Sequence, residues 1–231
     1  PNFPTVDEEA ESYLKKRPLI DFYIVKEGEL AFSRVVNELV SPGISLDDIH
    51  GKIPSVHSID NEGTYHRPQT IERLQDLSTI PSPYVTGRMD EFFDGKLTPI
   101  IQTNRGCPFS CTFCVEGVQY YNKIYKNSKE KVSSEIDYIA NMMKKARSKG
   151  EDRKDLYIAD SNFGMYKDDI FTCEQIANAQ KKFNWPIYIN VATGKNQKKR
   201  ILEAARLVNG AMRLSGSVQS LDTEVLSNIK R

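Results

Sequence analysis

The chain has 231 residues, and its 32 basic and 31 acidic side chains leave a formal net charge of +1. That balance gives no electrostatic footprint for a nucleic-acid partner, and no apolar run is long enough to cross a bilayer. Hydrophobic residues at 39% and charged residues at 27% exclude a disordered or membrane-embedded class and fit one large or two small folded domains. No basic-then-apolar leader opens the sequence. Four cysteines, three of them clustered, fit a reducing compartment such as the cytoplasm rather than a disulfide scaffold. The chain opens on Pro1 rather than Met, and it reads as a piece of a longer protein.

Residues 1–40 read helix, strand, helix. Thr5 with Glu8 forms a capping-box pattern for a helix reaching about Lys16, with Pro18 beyond its end. Leu19 to Val25 is a short apolar run with β-branched and aromatic residues, which predicts a buried strand. After the turn Glu27-Gly28-Glu29, residues 30–40 place Phe32, Val35, Val36, Leu39 and Val40 on one helical face. This order suits the end of a doubly wound sheet. Residues 41–98 read as a connector, because proline and glycine recur and apolar periodicity is weak. His50, His57 and His66 lie there at spacings that match no zinc signature, so they are expected to be exposed loop residues. The segment His57 to Tyr65 has the pattern of a small hairpin around Asn61-Glu62-Gly63. Met89, Phe92 and Phe93 are expected to form an apolar plug.

From Pro99 onward strands and helices alternate, which predicts a parallel sheet. Strands are expected at Pro99 to Thr103, Leu156 to Ala159, Ile187 to Val191 and Met212 to Val218. The first intervening helix is capped by Asn127 with Glu130 and ends before Gly150. The second carries Cys173 among Ile170, Ile176 and Ala177, so Cys173 reads as a small buried hydrophobe rather than a ligand. A third runs from Gln197 to Val208, and a last one starts at Asp222. Residues 99–231 thus hold four β/α units. In barrels built from such units, working residues sit at the C-terminal strand ends, here Asp160 to Gly164, Thr193 to Lys195, and Gln219 with Ser220. Lys195 itself, with Lys198, Lys199 and Arg200, reads as a solvated helix start.

The loop after the first of these strands delivers Cys107, Cys111 and Cys114 with the spacing C-x3-C-x2-C, and Phe113 precedes the last of them. Three thiols leave one unpaired in any disulfide scheme. Soft thiolates this close in sequence point to a metal or iron–sulfur site, and three protein ligands leave a coordination position open. A zinc knot completed by Cys173 or a histidine is the other reading of the same residues.

The cysteine loop resembles the signature of the radical SAM superfamily. The resemblance implies a partial (β/α) TIM-like barrel, a [4Fe–4S] cluster on Cys107, Cys111 and Cys114, and S-adenosylmethionine chelating the fourth iron through its amino and carboxylate groups. It also implies reductive cleavage to a 5′-deoxyadenosyl radical, with electrons from a donor such as flavodoxin or ferredoxin. By the same resemblance, Asp160, Asn162 and Phe163 mark the turn that receives the amino group, and Asn190 faces the ribose. Gln219 faces the ribose or the methionine end, and Arg231 reaches the carboxylate. Residues 1–40 resemble the C-terminal part of the Rossmann-like cobalamin-binding domain found in one radical SAM class, and the resemblance implies cobalamin as a cofactor of the full-length protein; the D-x-H-x-x-G ligand motif is absent here, and a Rossmann-like cap without a ligand is the other reading. The substrate is unknown from the sequence. A methylthiotransferase-like enzyme acting on RNA or protein is the runner-up, and a non-catalytic zinc or iron–sulfur module is the alternative from another class.

Overall fold

A computed structural model describes residue 4, residues 7–214 and residues 218–230. The chain divides into two units, Pro1–Leu74 and Gln75–Arg231. The boundary falls inside the segment that the sequence reads as a connector.

The first unit comprises α1 (Asp7–Lys15), β1 (Tyr23–Ile24), α2 (Glu29–Leu39), β2 (Val56–Ile59) and β3 (Tyr65–His66). Its three strands lie in the order β1-β2-β3 and both pairings are antiparallel. The predicted hairpin is present, with Gly63 at φ +82° supplying the left-handed turn residue. Ala31, Val35, Ile49, Ile53 and Val56 form the core. The Glu27 carboxylate accepts from Arg73 Nε at 2.9 Å and from the Leu74 backbone N–H at 3.1 Å. This pins the last residues of the unit to the turn before α2.

Three expectations change here. The strand predicted over Leu19 to Val25 shrinks to two residues, and Leu19 is 94% exposed. Its partner is the hairpin strand β2, so the described strands are antiparallel and not the parallel set of a doubly wound sheet. On α2, only Ala31 and Val35 are buried, while Phe32 and Val40 are exposed. The histidines are not loose in a loop. His57 is buried with Nδ1 2.7 Å from the Tyr65 hydroxyl, His50 Nδ1 lies 2.8 Å from Ser58 Oγ, and His66 pairs with Asp60 at 2.8 Å. A zinc-spacing rule cannot see this, because the partners are hydroxyls and a carboxylate six to eight residues away that the fold of the hairpin brings alongside.

The second unit contains β4 (Ile100–Ile101), β5 (Asn104–Arg105), β6 (Tyr125–Lys126), α3 (Lys129–Ser148), β7 (Asp155–Phe163), α4 (Lys167–Phe183), β8 (Tyr188–Thr193), α5 (Lys198–Leu207) and α6 (Thr223–Asn228). Strands β4, β7 and β8 make the expected parallel sheet, in that order, and β5 and β6 form a separate antiparallel pair. The chain is therefore an α/β protein with a parallel sheet. Ile158, Phe163, Ile139, Ala140, Cys173, Ile176, Ala204 and Val208 are fully buried in one core between this sheet and the helices. Burial pushes the Cys173 thiol up to about 12, in keeping with its reading as a small hydrophobe. Met89 and Phe93 pack on the core as the plug predicts, while Phe92 stays 43% exposed.

Local chemistry fixes the helix ends. Ser128, not Asn127, caps α3, its hydroxyl accepting from the Lys131 N–H at 3.1 Å. Asn127 instead donates to the Gln102 carbonyl at 2.6 Å. Asp222 caps α6 by accepting from the N–H groups of Glu224 and Val225. The fourth predicted strand is reduced, among the described residues, to one parallel bridge between Met212 and Ile189.

Asp169 closes the N-terminus of α4. Its carboxylate accepts from the Tyr166 N–H at 2.8 Å while the residue is 1% exposed. Burial pushes this carboxyl up to about 7, against the hydrogen bonds from Tyr166 and Gly164, and the charge of Asp160 adds to the rise. A carboxyl whose pKa is higher folded than unfolded binds its proton more tightly in the native state, so stability falls as pH rises from about 4 through 7. Urea unfolding across that range should show a loss of at most about 4 kcal/mol from this group. Asp169→Asn keeps an acceptor for the Tyr166 N–H and should flatten the slope. An unchanged slope would assign the pH dependence elsewhere.

Candidate functional site

The cysteine loop starts where β4 gives way to β5. Gly106 has φ +119°, and a Cβ there would run into the backbone carbonyls of Lys123 and Tyr121. Only glycine lets the chain pass this close to its own return strand. Cys107 N–H then donates to the Tyr121 carbonyl at 2.8 Å, Cys114 N–H to the Cys111 carbonyl at 3.2 Å, and Gly117 N–H to the Cys114 carbonyl at 2.9 Å. A Cβ on Gly117 would strike the Cys111 carbonyl. Thr112 N–H donates to the Ile229 carbonyl at 3.2 Å, which ties the middle of the loop to the end of α6.

All three sulfurs line one cavity of about 250 Å³. Cys107 and Cys111 are buried and Cys114 is exposed. The opposite wall comes from the C-terminal ends of β7 and β8, through Ser161, Asn162, Ala192, Thr193 and Lys195. Strict strand alternation would turn Ser161 and Asn162 to opposite faces. The register between β7 and β8 shifts between Ile158 and Phe163, and this irregularity lets both side chains reach the cavity.

Asn162 Nδ2 donates to Cys107 Sγ at 3.3 Å. Ser161 Oγ donates to Glu116 Oε1 at 2.7 Å, and Glu116 is itself on the cavity wall. Lys195 Nζ donates to Gln219 Oε1 at 3.4 Å. The wall thus carries three thiols, one carboxylate and one ammonium. Among the described residues no three Cys, His, Asp or Glu side chains converge tightly enough for a single metal ion.

Asp160 lies outside this wall. It is 1% exposed, and its carboxylate accepts from Thr103 N at 2.8 Å, Asn104 N at 3.3 Å, Asn104 Nδ2 at 2.8 Å and the Thr103 hydroxyl. Burial raises it to about 6 and these donors oppose the rise. Asp160 is therefore a clamp on the strand that leads into the loop, and its side chain does not face the cavity. Phe163 is fully buried in the core. Asn190 lies along β8, its amide 3.4 Å from the Asp155 carboxylate and away from the lining set. Gln219 is exposed and reaches the wall only through Lys195. Arg231 lies outside the described residues. Of the residues predicted from sequence, the structure thus brings together Cys107, Cys111, Cys114 and Asn162. Glu116 joins them without having been singled out, Ser161 and Lys195 join them from the strand-end segments 160–164 and 193–195, and Lys195 stands on the cavity wall where the sequence reads a solvated helix start. The signal for Glu116 was its place two residues after Cys114, and for Lys195 its place just beyond a strand end.

No family model matches the chain. It is 29% identical over 237 aligned residues to the cobalamin-dependent radical SAM methyltransferase TokK of Streptomyces tokunonensis, covering 99% of this chain and 33% of that protein. It is also 29% identical over 245 aligned residues to the 2-(S-pantetheinyl)-carbapenam-3-carboxylate methyltransferase of Streptantibioticus cattleyicolor, again with 99% and 33% covered. Among solved structures, the radical SAM methyltransferase TsrM from Kitasatospora setae, with tryptophan and a SAM analogue bound, has a TM-score of 0.64 at 14% identity, over 96% of this chain and 42% of that one. The cobalamin-dependent radical enzyme OxsB, with aqua-cobalamin and S-adenosylmethionine bound, has a TM-score of 0.58 at 17% identity, over 95% and 31%; these two likenesses speak for the fold. The chain spans about a third of the length of the curated relatives it matches. Its homologues are cobalamin-dependent radical SAM methyltransferases, and the chain answers to one part of these larger proteins.

Proposed function

We propose that this chain supplies the cluster- and S-adenosylmethionine-binding part of a cobalamin-dependent radical SAM methyltransferase. The observation that carries this reading is the convergence of Cys107, Cys111 and Cys114 on one cavity at the C-terminal ends of parallel strands. In this reading residues 99–231 are the first four units of a partial (β/α) barrel, residues 1–40 are the C-terminal part of a Rossmann-like, cobalamin-binding-type domain, and residues 41–98 connect the two. An external donor such as flavodoxin or ferredoxin delivers the electron. The reading places the protein in the cytoplasm; among the described residues no helix is long and apolar enough to cross a membrane.

The donor set fits a [4Fe–4S] cluster in kind: three soft thiols on one cavity wall, two of them buried. When bound, such a cluster offers an open iron to S-adenosylmethionine and the electron for reductive cleavage of its sulfonium. The protein's own part is positional. The amide N–H of Asn162 donates to Cys107 Sγ, which stabilises added negative charge on the sulfur. Glu116, oriented by Ser161, receives the amino group of the methionine end, and Lys195 receives the carboxylate. Buried Cys107 and Cys111 keep two of the sulfurs from water while exposed Cys114 faces the mouth.

Three outcomes test this reading. Anaerobic reconstitution of Cys107→Ala, Cys111→Ala or Cys114→Ala should lose the 400-nm cluster absorbance (roughly where thiolate-ligated iron–sulfur groups absorb), whereas Cys173→Ala should keep it. Equal iron loss from Cys173→Ala would refute the three-ligand set. Asn162→Leu should retain iron yet show a reduction potential lower by on the order of 50 mV, since a hydrogen bond to a ligating sulfur favours the reduced cluster; a potential equal to that of the parent chain removes Asn162 from this role. Lys195→Ala should weaken S-adenosylmethionine binding about tenfold, the effect of losing roughly 1.4 kcal/mol of a charge-assisted contact, with iron content unchanged. Calorimetric titration that shows equal affinity would exclude Lys195 from the carboxylate end.

A further inference from the structure

The turn at the end of β7 begins at Asn162, whose amide donates to Cys107 Sγ at 3.3 Å. Its backbone is held from two sides. On one side the Asp169 carboxylate accepts the N–H groups of Gly164 and Tyr166. On the other stand the end of β8 and the start of α5. Gly194 N–H donates to the Phe163 carbonyl at 3.0 Å, and Arg200 Nη1 donates to the Met165 carbonyl. The packing is close at both points. A Cβ on Gly194 would lie 2.8 Å from Met165 Cβ and 3.0 Å from the Asn162 carbonyl oxygen. One on Gly164, at φ +84°, would lie 3.2 Å from Ile201 Cγ1.

Met165 joins the two halves of this arrangement. Its carbonyl is held by Arg200, and its N–H donates to the Asn162 carbonyl at 3.3 Å. Peptide planes are stiff, so a shift of the carbonyl that Arg200 grips carries through one residue to the residue that touches Cys107.

Arg200 stands where local chemistry argues against it. Lys198, Lys199 and Arg200 fill the first turn of α5, which has no acidic residue there and no side-chain cap. A helix start carries partial positive charge, so a cation in that turn is unfavourable. Lys198 and Lys199 are exposed, and water screens them. Arg200 is half-buried, and a cation drawn out of water needs an acceptor; the Met165 carbonyl is that acceptor. The sequence reads Arg200 as part of a solvated helix start, and the structure turns it inward. Departures from local preference are expected where function sets the residue. The same stretch puts Lys195 on the cavity wall. The β8–α5 connection therefore meets the site twice, through Lys195 at the wall and through Arg200 at the turn that bears Asn162.

We propose that Arg200 is a positioning residue for the sulfur site: by holding the Met165 carbonyl it fixes the turn that directs Asn162 at Cys107. Its effect on a cluster rests on the reading of the three cysteines as cluster ligands; its effect on Asn162 does not.

Two measurements test this. Arg200→Ala removes the donor while favouring the helix, so the chain stays folded, and Arg200→Lys keeps a cationic donor. In the nitrogen-labelled, metal-free chain, the Asn162 side-chain amide resonance is identified by its loss in Asn162→Leu. It should move in Arg200→Ala and stay in place in Arg200→Lys. In the anaerobically reconstituted chain, Arg200→Ala should lower the reduction potential in the same direction as Asn162→Leu. The double substitution should then give the potential of Asn162→Leu alone, because a residue that acts through another adds nothing once that one is gone. A merely structural role for Arg200 would lower Tm without this non-additivity. An Asn162 amide unmoved in Arg200→Ala overturns the proposal, with or without iron in the chain. A double substitution whose shift is the sum of the two single shifts also overturns it. A parent chain that takes up no iron refutes the cluster reading instead, and the amide resonance still decides the role of Arg200.

Discussion

The second unit depends on how the β4–β7 ladder ends. Ile100 pairs with Tyr157 and Ile101 with Ile158, so continuing the register would set Thr103 opposite Asp160. At that point the Asp160 side chain takes over from the backbone. It accepts the N–H groups of Thr103 and Asn104, the Thr103 hydroxyl and the Asn104 amide. A buried carboxylate is costly unless its lone pairs are filled, and here four donors fill them. Hydrogen bonds to a charged group are worth about 1.5–3 kcal/mol each and leave a large penalty when one partner is removed, so the exchange is locally stable. Its consequence is geometric. Freed from β7, the backbone turns into β5, pairs with β6 and delivers Cys107 beside Asn162.

This handover explains why parallel strands of unequal length make a site. β4 has two residues and β7 has nine, so β7 runs on past the end of its neighbour. The cysteine loop occupies the step that results, closed on itself by backbone bonds from Cys107, Cys114 and Gly117 and by the return strand β6. The β7–β8 register shift then presents Ser161 and Asn162 together above the step. The loop carries sulfur and the strands carry the polar groups, and each is fixed by contacts that do not involve the cysteine side chains.

Much of this was legible in the sequence, for identifiable reasons. The cysteine spacing is local chemistry and needs no tertiary knowledge. Alternating apolar strands and helices after Pro99 gave the parallel sheet, because buried strands and amphipathic helices leave different periods. Asp160 enters the sequence reading as part of a strand-end turn, and only the register against Thr103 shows that its side chain binds the strand leading into the loop. Lys195 was hidden among the lysines that open α5. In the first unit, a two-residue strand paired with a distant hairpin leaves no periodic trace, and the histidines of that hairpin look unrelated until β2 and β3 are set side by side. Gln219 sits one contact away from the wall, through Lys195, and Asn190 bonds Asp155 outside the lining set; sequence position alone cannot separate a lining residue from its neighbour.

The electrostatics of the two faces of the Asp160 clamp are opposite in character. On the side of the cysteine cavity, Glu116 and Lys195 are partly open to water, which screens their charges. On the inner side, Asp160 and Asp169 are both 1% exposed, and a charge there changes its surroundings strongly because little solvent screens it. Tyr166 senses both faces. Burial, first, and then charge on Cys107 and on Asp169 hold its phenol protonated well beyond the usual range. The Asp160 network therefore lies under the strand that leads into the cysteine loop, and Glu116 and Lys195 lie on the cavity wall with the cysteines.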